Sequence, residues 1–334
     1  MRLYHGPCHY GRETPELPFG FKELFTRGLI VIQRKTRSSL KCELSGDAAA
    51  NAIIDGLESN RPFFAARFGT GEMEATIRGY DIAAPGGPVK KAFRLIAGKS
   101  GPFWWDNSIK SGLNNNAGFF PPTKEAMQRF SDLTVKDAGQ IDILGAYAYM
   151  PLRFRKAVLP QATLIPIFDL EPFWNARHWT QCLKGKKVLV IHSMPDTIKA
   201  QYEKRTSLFK TPDMLPEFNL IAYKSVNSAM GLKTEFPNWF AALEKMESDI
   251  AKIDFDIALL GCGAYGMNLG AFIKRDLGKS AMHIGGMLQL LFGIKGKRWE
   301  SDPQYNALYT DSWTRPLQHE VPPANARIEN GCYW

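Results

Sequence analysis

Short, continuous apolar runs alternate along the chain with segments whose apolar residues recur at helical spacing. Runs of this kind are typical of strands buried on both faces, and helices between such strands favour parallel pairing. The pattern therefore predicts an α/β fold, a Rossmann-like and mostly parallel sheet with helices on both faces. The predicted strands cover 62–68, 141–148, 163–169, 187–192, 218–226, 255–260 and 280–284, and the predicted helices cover 47–59, 123–137, 197–205 and 239–253, with another from Met73.

The same pattern divides the chain into three expected parts. Residues 1–45 would be an irregular N-terminal arm, 46–300 the Rossmann-like domain, and 301–334 a proline-rich tail packing on that domain. Within the arm, apolar positions between 19 and 33 would share one face of a helix, followed by basic residues. Such a helix either packs on the protein or lies on an anionic membrane surface. Residues 81–122, with proline, glycine and an asparagine run, are expected to be rich in loop.

Composition narrows the class of partner. The hydrophobic fraction of 45% and the charged fraction of 22% are ordinary for a soluble globular protein. The net charge of +9 favours an acidic partner, but the basic residues are spread out, which does not favour nucleic acid. Five cysteines without a CxxC pair indicate a reducing compartment and no zinc site. No stretch is long and apolar enough for a membrane span or a signal peptide, so we expect a cytoplasmic protein, with peripheral contact at the inner membrane face left open.

A glycine-rich turn follows the strand at 255–260. Gly261, Gly263 and Gly266 have the GxGxxG spacing of dinucleotide-binding folds, in which missing side chains let phosphate and helix approach. A nicotinamide enzyme usually carries an acid about twenty positions later, and none is present here. NAD is therefore not expected. The alternative is that these glycines serve only close packing.

A second glycine turn and a basic loop come next. Gly285 and Gly286 follow the strand at 280–284, and the loop contributes Lys295, Lys297 and Arg298. Glycine turns that lead into helices, with cations beside them, suit a phosphorylated ligand, most simply the diphosphate of a nucleotide. Arg67, at the end of the strand at 62–68, joins these candidate diphosphate ligands. A merely solvated basic loop is the alternative.

Acids after two predicted strands are the candidates for catalysis and metal binding. The segment RFGTGEME places Glu72 and Glu74 just past a strand end, where a loop could turn both toward a Mg²⁺ or Mn²⁺ ion. Acids also suit a helix N-terminus for dipolar reasons alone. His192 and Asp196, after the strand at 187–192, could act as general base on an acceptor hydroxyl. Asp196 could instead be only a helix cap.

Four segments together resemble the GT-D-fold glycosyltransferases, bacterial enzymes of glycan assembly. They are ARFGTGE, KVLVIHSMPDTIKAQYEKR, LLGCGAYGMNLGAFIKRDLGK and HIGGMLQLLFGIKGKRW, and the resemblance runs from about 60 to 300. The family implies a Rossmann-like sheet, a UDP-sugar donor and a divalent metal held through an acidic DxE motif. Here Thr70 stands where the first acid would be, and only Glu72 matches the second, which weakens the expectation of a metal.

The sequence thus favours a glycosyltransferase that moves a sugar from a nucleotide-sugar donor to a hydroxyl of a growing surface glycan or glycolipid. Glu72 would orient the metal or the donor, and the glycine turns and basic loop would bind the diphosphate. Two alternatives stay open. One is an NAD(P)-dependent oxidoreductase, and the other is a nucleotide- or glycan-binding protein that has lost catalysis.

Overall fold

Seven parallel strands form the single sheet of the computed structural model, which describes residues 40–229, 232–322 and 333. The spatial order is β3-β2-β1-β7-β6-β4-β5, and every ladder between neighbours is parallel. The fold is therefore Rossmann-like α/β, as the sequence predicts. The strands are β1 Phe64–Arg67, β2 Ile143–Ala146, β3 Thr163–Pro166, β4 Lys187–His192, β5 Asn219–Lys224, β6 Ile257–Gly261 and β7 Ser280–His283.

Strand β4 explains why the sheet needs cover on both faces. Val188 and Val190 belong to one apolar core, whereas Leu189 and Ile191 belong to another on the opposite face. Alternate residues of a strand point to opposite faces, so an uninterrupted apolar run is buried only between two layers of helices. The helices provide those layers.

The helices begin where capping residues stand. Thr123 accepts a hydrogen bond from the Ala126 amide at the start of the helix Lys124–Ala138, and Asn238 accepts one from the Ala241 amide at the start of the helix Trp239–Ile250. Both are favourable N-caps. The helices are α1 Asp47–Glu58, α2 Thr70–Ala83, α3 Pro88–Ile96, α4 Asn107–Ser111, α5 Lys124–Ala138, α6 Leu152–Val158, α7 Pro195–Tyr202, α8 Trp239–Ile250, α9 Tyr265–Arg275, α10 Leu288–Leu291, α11 Lys297–Glu300 and α12 Pro303–Asn306.

Some local predictions were wrong. The segment 81–122, expected to be rich in loop, also contains α3, α4 and a π-helical turn at Gly112–Asn116. Helix α3 starts with Pro88 at its first position, where a missing amide hydrogen costs nothing. The strand predicted over 163–169 ends at Pro166, because Ile167–Leu170 turns into a 3₁₀ helix.

The described part of the C-terminal segment is joined to the body by buried aromatic residues. Tyr305 and Trp313 lie in the same apolar core as Val188 and Val190, and the Lys295 amide donates to the Thr314 carbonyl. The predicted arm lies outside the described residues except for 40–45, as do 323–332 and 334. The domain boundaries stay a prediction. Within the described ranges, no helix combines the length and the apolar character needed to cross a membrane.

Candidate functional site

The carboxyl edge of the sheet gathers most of the candidate residues, because all seven strands end there. Strands β1 and β7 are central neighbours, so Arg67 at the end of β1 lies beside the Gly285-Gly286 turn that follows β7. Strands β6 and β4 are also neighbours, which brings the Gly261–Gly266 turn close to His192. Ligands of open α/β sheets bind along this edge.

The first turn, Gly261–Gly266, is closed by protein atoms. A Cβ on Gly261 would lie 2.7 Å from His192 Cδ2, and one on Gly266 would lie 2.1 Å from His283 Cε1. Gly263 has a left-handed φ of 56°, and the next amide, that of Ala264, donates to the Ala117 carbonyl at 3.1 Å. The glycines of this turn therefore make room for side chains and for a neighbouring loop, and diphosphate binding here stays a prediction.

Two buried histidines fill that room in their neutral form. His192 is 3% exposed and His283 is 4% exposed, and burial lowers the pKa of each to about 4. The Met194 amide donates to His192 Nδ1 at 3.1 Å, so the ring proton sits on Nε2. In this arrangement His192 has no ring nitrogen left to accept a proton from an acceptor hydroxyl, which favours a packing role.

The second turn, Gly285-Gly286, borders arginine and tyrosine side chains instead. Gly285 has a φ of 65°, and a Cβ there would lie 3.6 Å from Arg67 Cδ and Nε. A Cβ on Gly286 would lie 2.2 Å from Tyr333 Cε1. Arg298 Cζ lies 4.9 Å from the centroid of the Tyr333 ring, and its Nη1 donates to the Tyr333 hydroxyl at 3.2 Å. The predicted Arg67, Arg298 and second turn thus come together in one cluster.

A buried carboxyl group, Glu171, completes this cluster. The residue follows the 3₁₀ helix after β3 and is 5% exposed. Trp174 Nε1 donates to its Oε2 at 2.7 Å, and the Tyr305 hydroxyl lies 3.0 and 2.8 Å from Oε1 and Oε2. Burial raises the pKa of Glu171 to about 7, although these hydrogen bonds and the charge of Arg67 oppose the rise. The group can therefore hold or release a proton near neutral pH.

Arg67 stays charged at the centre of the cluster. Burial works to lower the pKa of Arg67, but Tyr147, Tyr333 and Glu171 together raise it, against a smaller opposing effect of Arg298. Its Nη2 donates to the Tyr147 hydroxyl at 2.7 Å. Arg67 thus lies within electrostatic range of both the Arg298 guanidinium and the Glu171 carboxyl group. Two neighbouring guanidinium groups are suited to a ligand with more than one negative charge.

The two acids predicted to share a metal lie on one helix. Glu72 and Glu74 are both inside α2, and residues two positions apart do not share a helix face. The Glu72 carboxylate folds back over Gly69, where a Cβ would lie 2.1 Å from its Oε2, whereas Glu74 is exposed. The loop that was expected to turn both inward is thus helix. The residues present do not form a two-carboxylate site, and Glu72 fits the helix-terminus alternative.

Asp196 faces the C-terminal segment. It is exposed, and its Oδ2 lies 3.1 Å from His319 Nε2. Helix α7 is capped by the buried Glu320, which accepts from the amides of Asp196 and Thr197 at 2.8 and 2.9 Å. Ligand atoms of Asp196, His319 and Glu320 lie within 4.8 Å of one another, close enough to hold an ion. Glu320 is taken up by the helix terminus, and Asp196 pairs with His319 and, at 3.5 Å, with Lys199 Nζ. These partners explain the group without an ion.

The remaining basic candidates lie apart from the cluster or face solvent. Lys295 Nζ lies 5.4 Å from the centroid of the Tyr309 ring, and Lys297 is exposed on α11. Of the three basic residues predicted from the loop, the described contacts therefore bring Arg298 alone to Arg67.

Sequence reasoning missed four members of the cluster: Glu171, Tyr147, Tyr305 and Tyr333. A usable signal existed for both Glu171 and Tyr147. Glu171 comes just after the strand predicted at 163–169, and Tyr147 stands at the end of the strand predicted at 141–148, where ligand-facing residues concentrate. No local signal marks Tyr305, since its position depends on how a distant segment folds back.

Comparison with protein-family models finds no match to this chain, and comparison with curated proteins finds none either. Among solved structures, the chain is similar to one titled "Selenomethionine substituted structure of domain of unknown function 1792 (DUF1792)". The sequence identity is 12%, the TM-score is 0.35, and the similarity covers 87% of this chain and 95% of that one. The fold assignment rests on the parallel sheet itself, and function must be argued from the site.

Proposed function

We propose that this protein is a glycosyltransferase that uses a nucleotide-sugar donor and holds the donor's diphosphate between Arg67 and Arg298. The observation that carries the proposal is the cluster at the ends of β1, β3 and β7, which joins two guanidinium groups to a glycine turn and a titratable carboxyl. The sequence resemblance to GT-D enzymes supports the same reaction.

The chemistry follows from charge. When the bond between sugar and diphosphate breaks, negative charge grows on the leaving nucleoside diphosphate, and fixed cations next to it lower the barrier. Arg67 and Arg298 would supply that charge. Glu171 would balance Arg67 when no ligand is bound and would exchange a proton near neutral pH. A UDP-sugar is the expected donor, and a hydroxyl of a surface glycan or glycolipid is the expected acceptor.

The family's metal is not needed for this proposal. Only Glu72 occupies a position of the acidic pair, and it lies against its own helix terminus. The oxidoreductase alternative gains nothing from the structure, because the first glycine turn is filled by His192, His283 and the Ala117 carbonyl.

A panel of nucleotide sugars, tested by thermal shift with and without Mn²⁺, checks the proposal. Binding to the folded state raises the melting temperature by mass action, so we expect at least one UDP-sugar to stabilise the protein. Arg67→Met should remove the shift, and Arg61→Met, an exposed arginine just before β1, should keep it. Stabilisation by NADP alone would contradict the proposal. Binding without consumption of any donor would favour a protein that has lost catalysis.

A further inference from the structure

Helix α3 exposes its apolar face. Val89, Phe93 and Ile96 are spaced to share one side of the helix, and they are 70%, 68% and 55% exposed. They are the three most exposed large hydrophobic side chains among the described residues. A surface helix normally buries such a stripe, and exposed apolar clusters mark interaction sites.

The opposite side of α3 attaches it to the protein. Leu95 is its buried residue. Lys91 Nζ donates to the Ile82 carbonyl, and Arg94 Nη1 donates to the Pro85 carbonyl at 3.3 Å. Basic side chains therefore fix the helix in place, and the apolar face is left toward solvent. The usual arrangement of an amphipathic surface helix is reversed.

The surroundings of α3 are basic and aromatic. Between Asp81 and Asp106 the chain carries Lys90, Lys91, Arg94 and Lys99 and no acidic residue. Phe103 and Trp104, both partly exposed, make an edge-to-face contact at 5.1 Å in the same segment. An exposed apolar face, lysine and arginine along the helix, and a tryptophan shortly after it in the sequence are features of helices that lie in the headgroup region of anionic bilayers.

We propose that α3 docks on an anionic lipid surface. Val89, Phe93 and Ile96 enter the headgroup boundary, and the exposed Lys90 lies beside lipid phosphates. Charge argues against the two other candidates for covering this face, which are a second copy of the chain and the segment 1–39. A second copy would bring the same basic face and a net charge of +9, and residues 1–39 carry seven basic and three acidic residues. This docking is independent of the proposed transfer reaction, because vesicle binding is measured without any donor or acceptor.

Co-sedimentation of the full chain with phosphatidylcholine vesicles, with and without phosphatidylglycerol, tests the proposal. We expect binding to the anionic vesicles that weakens as salt is added. The double variant Phe93→Ser/Ile96→Ser should weaken binding about tenfold or more, because the inserted apolar area is lost. Leu317→Ser, the same change at an exposed leucine elsewhere, should bind like the unaltered chain.

Three results would overturn the proposal. The first is no binding of the unaltered chain to anionic vesicles. The second is equal binding by the double variant, which would move the lipid contact to another segment. The third is a concentration-dependent dimer that the double variant abolishes while vesicle binding is absent, which would make a second copy the occupant. Equal melting temperatures of the double variant and the unaltered chain establish that any loss of binding is not a loss of folding, since the mutated side chains are exposed.

Discussion

The two glycine turns share a sequence pattern and differ in what surrounds them. Each follows a buried parallel strand and leads into a helical segment. Around Gly261 and Gly266 the space freed by the missing side chains is taken by histidine rings, whereas Gly285 borders the side chain of Arg67. A glycine pattern shows that something approaches the backbone closely, but only the fold shows whether that is the protein itself or a ligand.

The difference extends to charge. The first turn lies against His192 and His283, which burial keeps neutral. The second lies against Arg67 and Tyr333, and Tyr333 in turn contacts Arg298. The pKa of Glu171, which interacts with Arg67, is about 7, so this carboxyl group changes charge near neutral pH. A neutral packed turn should be sensitive to volume, and a charged one should be sensitive to charge and pH. Four predictions test that contrast, beginning with the largest effect.

Filling the first turn should destabilise the fold. In Gly266→Ala the new Cβ would lie 2.1 Å from His283 Cε1 and 2.2 Å from Nδ1, inside a packed core. Overpacking of this kind should lower the free energy of unfolding by about 3 kcal/mol, measured by urea denaturation. Gly112→Ala, which meets no atom within 4 Å, is the matched control and should be nearly neutral. A small loss of stability in Gly266→Ala would mean that protein atoms do not fill the space beside this turn.

Removing the charge of Arg67, beside the second turn, should slow the transfer reaction. Arg67→Met should slow donor turnover about a hundredfold, close to 2.7 kcal/mol of transition-state stabilisation. The measurement is the rate of nucleoside diphosphate release from the donor that the thermal-shift panel identifies. Arg61→Met should retain the full rate. Full activity of the Arg67→Met variant would show that the diphosphate does not bind at this cluster.

The pH dependence of stability should separate the two turns. The folded pKa of Glu171, about 7, lies above its ordinary value of 4.5, so its contribution is present below pH 4.5 and lost as pH rises to about 7. The buried histidines act in the opposite sense, because a folded pKa of about 4 costs stability as pH falls below 6.5. The relative stability of Glu171→Gln should therefore improve by about 2 kcal/mol from pH 5 to pH 7.5.

Urea denaturation of both proteins at several pH values measures that change. Glu244→Gln provides the control, because this glutamate side chain is 70% exposed. If the stability difference between Glu171→Gln and the unaltered chain stays constant with pH, Glu171 does not have a raised pKa in the folded protein.

The smallest expected effect distinguishes the basic residues of the loop. Arg298→Ala should weaken nucleoside diphosphate binding about tenfold, because the side chain lies within electrostatic range of Arg67. Lys297→Ala should change it less than about twofold, as expected for an exposed charge. Calorimetric titration measures both. An equal loss of affinity in the two variants would indicate that the loop acts through its net charge alone.

The fold was predictable because β4 and its neighbours carry apolar runs that only a covered parallel sheet can bury. The candidate site was predictable in part. Arg67 was found because it stands at a strand end, and Arg298 because it belongs to the basic loop that follows the second glycine turn. Glu171 was missed because its special feature is its burial, which arises when Tyr305 folds back from a distant segment. Helix α3 was missed because periodicity is normally sought as a buried stripe, and here the stripe is exposed.

The position of β7 at the centre of the sheet affects how the protein folds while it is being synthesised. Strand β7, near the end of the described chain, sits between β1 and β6. During synthesis on a ribosome, β1–β3 and β4–β6 emerge first, and the edges of β1 and β6 stay open until β7 leaves the exit tunnel. Open edges invite pairing with other chains. We therefore expect the nascent chain to depend on chaperones until this strand closes the gap, and a slow codon stretch before it to lower the yield of folded protein.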